Sequence, residues 1–340
     1  MLPSTRYLGS KRKIVGWIWS QIGGFSFDTF LDAFGGTGVV GYCAKRHGKR
    51  VFYNDVLKFN YQVGLSIIEN GSVKLSQEDV DFLLCEHDDV DYPTFIEDTF
   101  KDIYYTDEEN RWLDMIVTNI KMLCDKYKRA LAFAALGQSC LIKRPFNLFH
   151  RRNLYFRFRK VKRSFRNYGT WNKPFEEHFR KFVEEYNSMV FSNFRYNEAY
   201  NFDVFDLDCV DADMVYLDPP YIPIDGEKPN YRQYYHFLEG LVDYDSWGEM
   251  IDSNSDIKAI RSYNSPWIDK SKVNGAFDRL FSMFNDAKFL VVSYRSDGVP
   301  SMKEIYAMLE AYKEHVKLRR KRFRYVLSKK ETEELLFIAY

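Results

Sequence analysis

The sequence holds few of the residue patterns that build disulfide, zinc or membrane sites. Its five cysteines, Cys43, Cys85, Cys124, Cys140 and Cys209, are odd in number, show no CxxC spacing and accompany no histidine cluster. That excludes a disulfide framework and a zinc site, and no metal is expected. No stretch approaches the ~18 to 20 consecutive apolar residues that span a bilayer, and Met1-Leu2-Pro3-Ser4-Thr5-Arg6 has no apolar run behind it. The expectation is a cytoplasmic protein without a membrane partner. There is no internal repeat and no low-complexity linker. The formal net charge is only +1 over 340 residues, but cations collect mid-chain while acids gather in stretches such as Glu86 to Asp91. The local field, and not the net charge, governs a polyanionic partner.

Aromatics are plentiful, at 18%. Most belong to a core, and the surplus beside basic residues suits stacking on bases. A chain of this length carries one catalytic domain with a sizeable insertion. Phe27 to Ala33 reads as an apolar strand ending in glycines, Val39 to His47 as a helix, and Val51 to Tyr53 as a second strand ending at Asn54-Asp55. From Leu57 to Ala199 the pattern turns helical, with helices expected at Asp107 to Lys128, Arg129 to Leu141 and Lys173 to Asn187. Strands resume at Met214 to Asp218, Phe289 to Tyr294, and in a closing pair, Tyr325 to Leu327 and Leu335 to Tyr340. The fold class is therefore α/β. It is a mostly parallel sheet with a C-terminal antiparallel hairpin, built from 1–56 and 200–340, with 57–199 as an inserted helical domain.

Gly36-Thr37-Gly38-Val39-Val40-Gly41 satisfies GxGxxG, follows a strand and opens a helix. The motif alone fits a nicotinamide-dependent oxidoreductase or a bare tight turn. Asp32, just before the loop, repels a phosphate drawn to the helix N-terminus and suits a cation. S-adenosylmethionine offers an ammonium and a sulfonium and no phosphate, so Asp32 favours it. Asp55, ending the next strand, is placed to accept both hydroxyls of a ribose.

Asp218-Pro219-Pro220-Tyr221 stands at a strand's carboxyl end, where open α/β sheets place ligands. An exocyclic amine is a poor nucleophile because its lone pair is delocalised into the ring. The Asp218 carboxylate and Pro219 carbonyl can each accept an N–H and turn that lone pair toward a methyl donor. The prolines fix φ and bring no competing N–H, and Tyr221 offers a flat face to a base removed from the duplex stack. No proline directly precedes a cysteine, so the nucleophile needed for covalent attack on cytosine carbon-6 is missing. The residues fit methylation of adenine N6 or of cytosine N4.

With these residues in place the chain resembles the Dam-type, alpha-class adenine-N6 DNA methyltransferases. Arg6-Tyr7-Leu8-Gly9-Ser10-Lys11 is similar to that family's opening motif, which implies cofactor contacts for Tyr7 and Lys11. Asp32-Ala33-Phe34-Gly35-Gly36-Thr37-Gly38 is similar to its cofactor loop, implying contacts from Asp32, Phe34, Gly36 and Gly38. Asn54-Asp55 matches its ribose acid, Asp203 its adenine-contacting acid, and Asp218 to Tyr221 its catalytic motif. Tyr7 stands where tryptophan is frequent, Ser10 where glycine is usual and Ala33 where proline is usual. The resemblance implies a Rossmann-like methyltransferase fold, S-adenosylmethionine as cofactor, a flipped adenine in double-stranded DNA as substrate, and a prokaryotic or phage setting. It also implies a restriction-modification context with a cognate endonuclease as candidate partner, and makes 57–199 the target-recognition domain.

Within that insertion, Lys143 to Arg166 holds ten lysines and arginines, no acid and six aromatic rings. A solvated face has no need of the rings, whereas a DNA-binding element uses cations on phosphates and rings as anchors or wedges. Lys143, Arg144, Arg151, Arg152, Arg157 and Arg159 are the candidate DNA contacts. The run Lys317 to Arg324 is either a second phosphate-facing patch or a solvated helix end. Tyr234 to Gly240 either walls a base pocket or packs as core, and His236 is left out of the chemistry.

Overall fold

The computed structural model describes residues 7–145, 148–158, 168–207, 209–224, 230–262, 264–323 and 332–340. It divides into two compact units, each assembled from three stretches of chain. One comprises Lys11–Val56, Asn193–Asn230 and Tyr263–Tyr340, and the other Met1–Ser10, Leu57–Ser192 and Tyr231–Ser262.

The first unit is built on a sheet whose strands are β1 (Thr29–Asp32), β2 (Arg50–Asn54), β3 (Glu198–Tyr200), β4 (Met214–Leu217), β6 (Phe289–Arg295), β8 (Val316–Phe323) and β9 (Thr332–Ala339). Among the described residues the order is β3-β2-β1-β4-β6-β9-β8. β1 pairs in parallel with both β2 and β4, β4 pairs in parallel with β6, and β9 runs antiparallel to β6 and β8. This is the expected mixed, mostly parallel sheet with antiparallel C-terminal strands. β4, Met-Val-Tyr-Leu, is buried throughout, as a central parallel strand covered on both faces must be. Chain order reverses between β1 and β4, and the crevice beyond their carboxyl ends is the ligand position of such sheets. Asp32 ends β1, and Asp218 follows β4 one residue past its end. A short antiparallel pair, β5 (Ile222–Pro223) with β7 (Gly298–Val299), anchors the chain leaving the tetrapeptide.

The second unit is helical. Helices Asp107–Met122, Lys126–Ile142 and Phe175–Met189 carry its core. The first two are separate because Asp125 accepts the N–H groups of Tyr127 and Lys128 and so caps a new helix start. The unit is wider than the 57–199 read from sequence, because 231–262 clusters with it. The reason is aromatic packing: Phe237 lies 5.0 Å from Phe149 with rings nearly parallel, 5.4 Å from Tyr104 and 5.1 Å from Trp247. Gly240 admits Trp247, since a Cβ there would fall 1.8 Å from the indole.

Candidate active site

The glycine loop is shaped by the ends of β1 and β2. Gly36 and Gly38 adopt φ of 52° and 69°, a left-handed backbone that side chains other than glycine resist. Gly38 then caps helix Val39–Arg46. Asp55 Oδ2 accepts the Gly36 N–H at 2.8 Å, and the Tyr53 hydroxyl donates to the Gly36 carbonyl at 2.7 Å. Asn54 donates to the carbonyls of Ala33 and Phe202 and accepts the Phe202 N–H. This asparagine thereby ties the β1 end and the 201–206 turn to β2, a role that nothing in its sequence position announces. Asp203 caps that turn by accepting the Phe205 N–H at 3.1 Å, and stays exposed. Phe34 meets Trp267 edge to face at 5.4 Å.

Asp32 is turned inward. Its Oδ2 accepts the Gly41 N–H at 2.8 Å and the residue is 1% exposed. Burial pushes its carboxyl up to about 7; the Gly41 N–H works downward, and the charges of Asp218 and Asp55 add to the rise.

The tetrapeptide joins residues that sequence spacing does not connect. Lys11 Nζ lies 3.0 Å from Asp218 Oδ1 and 2.9 Å from Glu334 Oε1. Lys11 is 5% exposed, Glu334 0%, and the Asp218 side chain 19%. Burial raises the Asp218 carboxyl to about 6, with Lys11 pulling it down and Glu334 pushing it up. The nearest approach of Lys11 to the Asp218 carboxylate is at Oδ1. Tyr221 is held by Arg295, which donates to its hydroxyl at 3.0 Å with the guanidinium 4.7 Å from the ring centroid; Asp297 in turn fixes Arg295 at 2.8 and 2.5 Å. Pro219 is buried and Pro220 half-buried. Lys11, Asp32, Phe34, Gly36, Gly38, Asp55, Asp203 and Asp218 to Tyr221 thus share one unit. Tyr7 belongs to the other, where its ring stacks on Tyr235 at 4.5 Å and its hydroxyl accepts from Asn60.

Sequence reasoning missed Glu334 and Arg295. The closing strand read from sequence begins at Leu335 and so leaves out Glu334, while β9 begins three residues earlier at Thr332. The only available signal was an acid heading an apolar run.

The profile of the D12 class N6 adenine-specific DNA methyltransferases matches residues 7–308. The chain belongs to that family. It is therefore an adenine-specific DNA methyltransferase, and the cytosine and nicotinamide alternatives fall away. Among relatives, the Type II methyltransferase M2.HphI of Haemophilus parahaemolyticus is 34% identical over 318 residues, covering 90% of this chain and 87% of the relative. M.CviAII of Paramecium bursaria Chlorella virus 1 is 25% identical over 98% of both chains. M.FokI of Planomicrobium okeanokoites is 26% identical, with 90% of this chain matching 47% of that protein. Family membership implies a methyl donor. Among the described residues no helix is long and apolar enough to cross a membrane.

The candidate DNA contacts divide. Lys143 is 2% exposed, 2.7 Å from Glu109, and donates to the carbonyls of Trp171 and Lys173. Arg157, 7% exposed, grips Glu109 with two hydrogen bonds of 2.5 and 2.8 Å. Arg144 is fully buried with its guanidinium 3.9 Å from the Phe149 ring centroid and 4.3 Å from that of Tyr104. These three side chains lie in the interior of the helical unit. Their charge is spent on Glu109, carbonyls and aromatic faces. Arg151 and Arg152 are exposed, as are Tyr155 and Phe158, and Arg152 also donates to the Asp256 carbonyl. Arg159 lies outside the described residues.

Tyr235 to Leu238 are core. His236 is fully buried between the Tyr104 hydroxyl at 2.8 Å and the Phe149 carbonyl at 3.1 Å, and burial lowers it to about 3. The Lys317 run is a strand and not a helix end: 316–323 form β8, with Lys317, Arg319, Arg320 and Arg322 exposed. The expected strand Tyr325 to Leu327 lies outside the described residues.

Proposed function

We propose that the protein transfers a methyl group from S-adenosylmethionine to N6 of an adenine flipped out of double-stranded DNA, with Asp218 and Pro219 as acceptors for the amine protons. The observation that carries this reading is the placement of Asp218. Lys11 meets its carboxylate at Oδ1, and the side chain stays 19% exposed just past the carboxyl end of β4.

The residues fit the cofactor by charge. Asp32, Asp55 and Asp218 lie close enough that their mutual repulsion helps raise the Asp32 carboxyl. A cationic group among them relieves that repulsion, and a pyrophosphate worsens it. Asp32, Phe34, Gly36, Gly38, Asp55 and Asp203 would hold the cofactor. When bound, it supplies an electrophilic methyl on a sulfonium sulfur.

Asp218 accepts one N6–H and the Pro219 carbonyl the other, drawing the nitrogen toward tetrahedral geometry with its lone pair facing the donor. As the nitrogen becomes cationic, the fixed carboxylate stabilises the growing charge. The methylated nitrogen is then a strong acid and needs no strong base. Tyr221, held by Arg295, gives the base its stacking face, against a flipping cost of a few kcal/mol. Arg151 and Arg152, with Tyr155 and Phe158, are the candidate duplex contacts in the helical unit, which serves as the target reader. Restriction-modification relatives support a cognate endonuclease as partner.

Asp218→Ala is expected to abolish transfer of labelled methyl to DNA while duplex and cofactor binding, measured by titration, stay within a few-fold. Retained turnover in that variant would refute the acceptor role.

A further inference from the structure

We infer that Glu334 is a positioning residue for methyl transfer, holding the Lys11 ammonium on one oxygen of Asp218 so that the other stays free and negatively charged for the substrate amine. The inference rests on Asp218 being the amine acceptor.

Glu334 is fully buried near the start of β9, whose following residues Leu335 to Ala339 are all apolar and buried. A carboxylate there costs folding energy that an apolar side chain would avoid. It is tied from two sides: the Ser293 hydroxyl donates to Oε1 at 2.7 Å, and Lys11 Nζ sits 2.9 Å from the same oxygen. Register explains the reach. Glu334 lies opposite Arg295 on β6, and Tyr294 pairs with Leu335, so β9 brings its carboxylate to the end of the sheet where β4 delivers Asp218.

The chemistry follows from charge and geometry together. An ammonium paired with Asp218 alone is free to bridge both oxygens, which neutralises the acceptor and blocks the position the amine needs. A second carboxylate on the far side holds the ammonium at Oδ1. The trio of Lys11, Asp218 and Glu334 then carries a net negative charge directed at a nitrogen that becomes cationic in the transition state. The other groups facing Asp218 are Tyr216, below it on β4, and Asp32 on β1 with Asp55 behind it; Tyr221 and Arg295 stand beside Lys11 and Glu334. None of them ties Lys11 and Asp218 together as Glu334 does.

The test is the pH dependence of kcat for Glu334→Gln in the full-length enzyme, with saturating duplex and S-adenosylmethionine. Glu334 raises the Asp218 carboxyl, so its neutralisation shifts the acid limb of the profile down by roughly one unit while lowering the plateau about tenfold or more. Duplex and cofactor dissociation constants stay within twofold, and Glu334→Asp recovers part of the plateau. A limb that does not move, whatever happens to the plateau, overturns the inference. If Glu334→Gln does not fold, Ser293→Ala frees the same carboxylate and is read the same way, with a smaller shift expected and an unmoved limb again fatal. Asp218→Asn, run alongside, separates the two levels. Turnover in that variant sinks the acceptor reading, whereas an inactive Asp218→Asn with an unmoved Glu334→Gln limb sinks only the role of Glu334.

Discussion

The acceptor role proposed for Asp218 sets two properties against each other, since an acceptor must be ionised and burial favours the proton. Its carboxyl sits at about 6 against an ordinary 3.8, so turnover limited by methyl transfer is expected to rise with pH through about 6 and then level off. Stability moves the other way. Below the ordinary value both folded and unfolded chains hold the proton and the group contributes nothing. As pH climbs from there to about 6 the unfolded chain releases its proton first, so folded stability drains away, and above about 6 the loss is complete. Asp218→Asn is therefore expected to be inactive yet more stable than the parent above that pH, by about 1 to 3 kcal/mol. The advantage should vanish below the ordinary carboxylate range. Urea melts of both proteins at several pH values measure this difference, and a constant or reversed gap would contradict it.

Elements decide which charges are available. Lys143, Arg144 and Arg157 belong to a cationic stretch whose composition suits a DNA reader, and all three are interior. Composition records how many cations a segment has, but a turn of helix decides which ones meet an acid. Here Glu109, also the closing residue of the Thr106 capping box, collects two of them. Burial raises its carboxyl, but Arg157 and Lys143 outweigh that and hold it below the ordinary range. Glu109→Gln leaves two buried cations short of a partner and is expected to destabilise the protein by about 3 to 5 kcal/mol, seen as a lower urea midpoint. Methylation per folded molecule should be unaffected.

Strand β8 makes the opposite case. Lys317, Arg319 and Lys321 alternate onto one face of an edge strand, with Lys317 4.9 Å from the Tyr340 ring centroid and Lys321 5.6 Å from that of Trp17. Lysines on an edge commonly serve to prevent strand pairing between molecules. If these three instead face phosphates, replacing them together with glutamine lowers the salt dependence of duplex binding by about one charge per contact. We expect a weaker salt slope and unchanged kcat. An unchanged slope with increased self-association assigns the cations to edge protection.

At the scale of the molecule, much was legible because the relevant signals are local. The strand β1, the glycine turn, Asn54-Asp55 and the tetrapeptide each occupy a few consecutive residues, and the structure places those of the glycine loop and the tetrapeptide in one unit. What was not legible depends on long-range register. Nothing in the spacing of Lys11, Asp218 and Glu334 shows that they share a proton-bonded cluster, because the pairing of β9 with β6 creates it. The unit boundary was equally hidden: 231–262 joins the helical unit through Trp247, which packs on Phe100, and Phe237, which packs on Phe149, each partner lying far upstream in the chain.

That three-segment construction also sets a timetable for synthesis. The helical unit receives its last segment at Ser262, when the sheet unit still lacks β6, β8 and β9. A ribosome translating this chain thus finishes the helical unit first and holds β1, β2 and β4 as an unfinished sheet, whose unpaired edge invites wrong partners until β6 arrives. Nascent chains stalled shortly after residue 262 has left the exit tunnel are expected to resist protease across the helices and to be cut within Lys11–Val56. Uniform cleavage of both regions would show that the two units fold only together. A chain interrupted there holds every segment of the helical unit beside a sheet that still lacks β6 and β9, and with them Glu334.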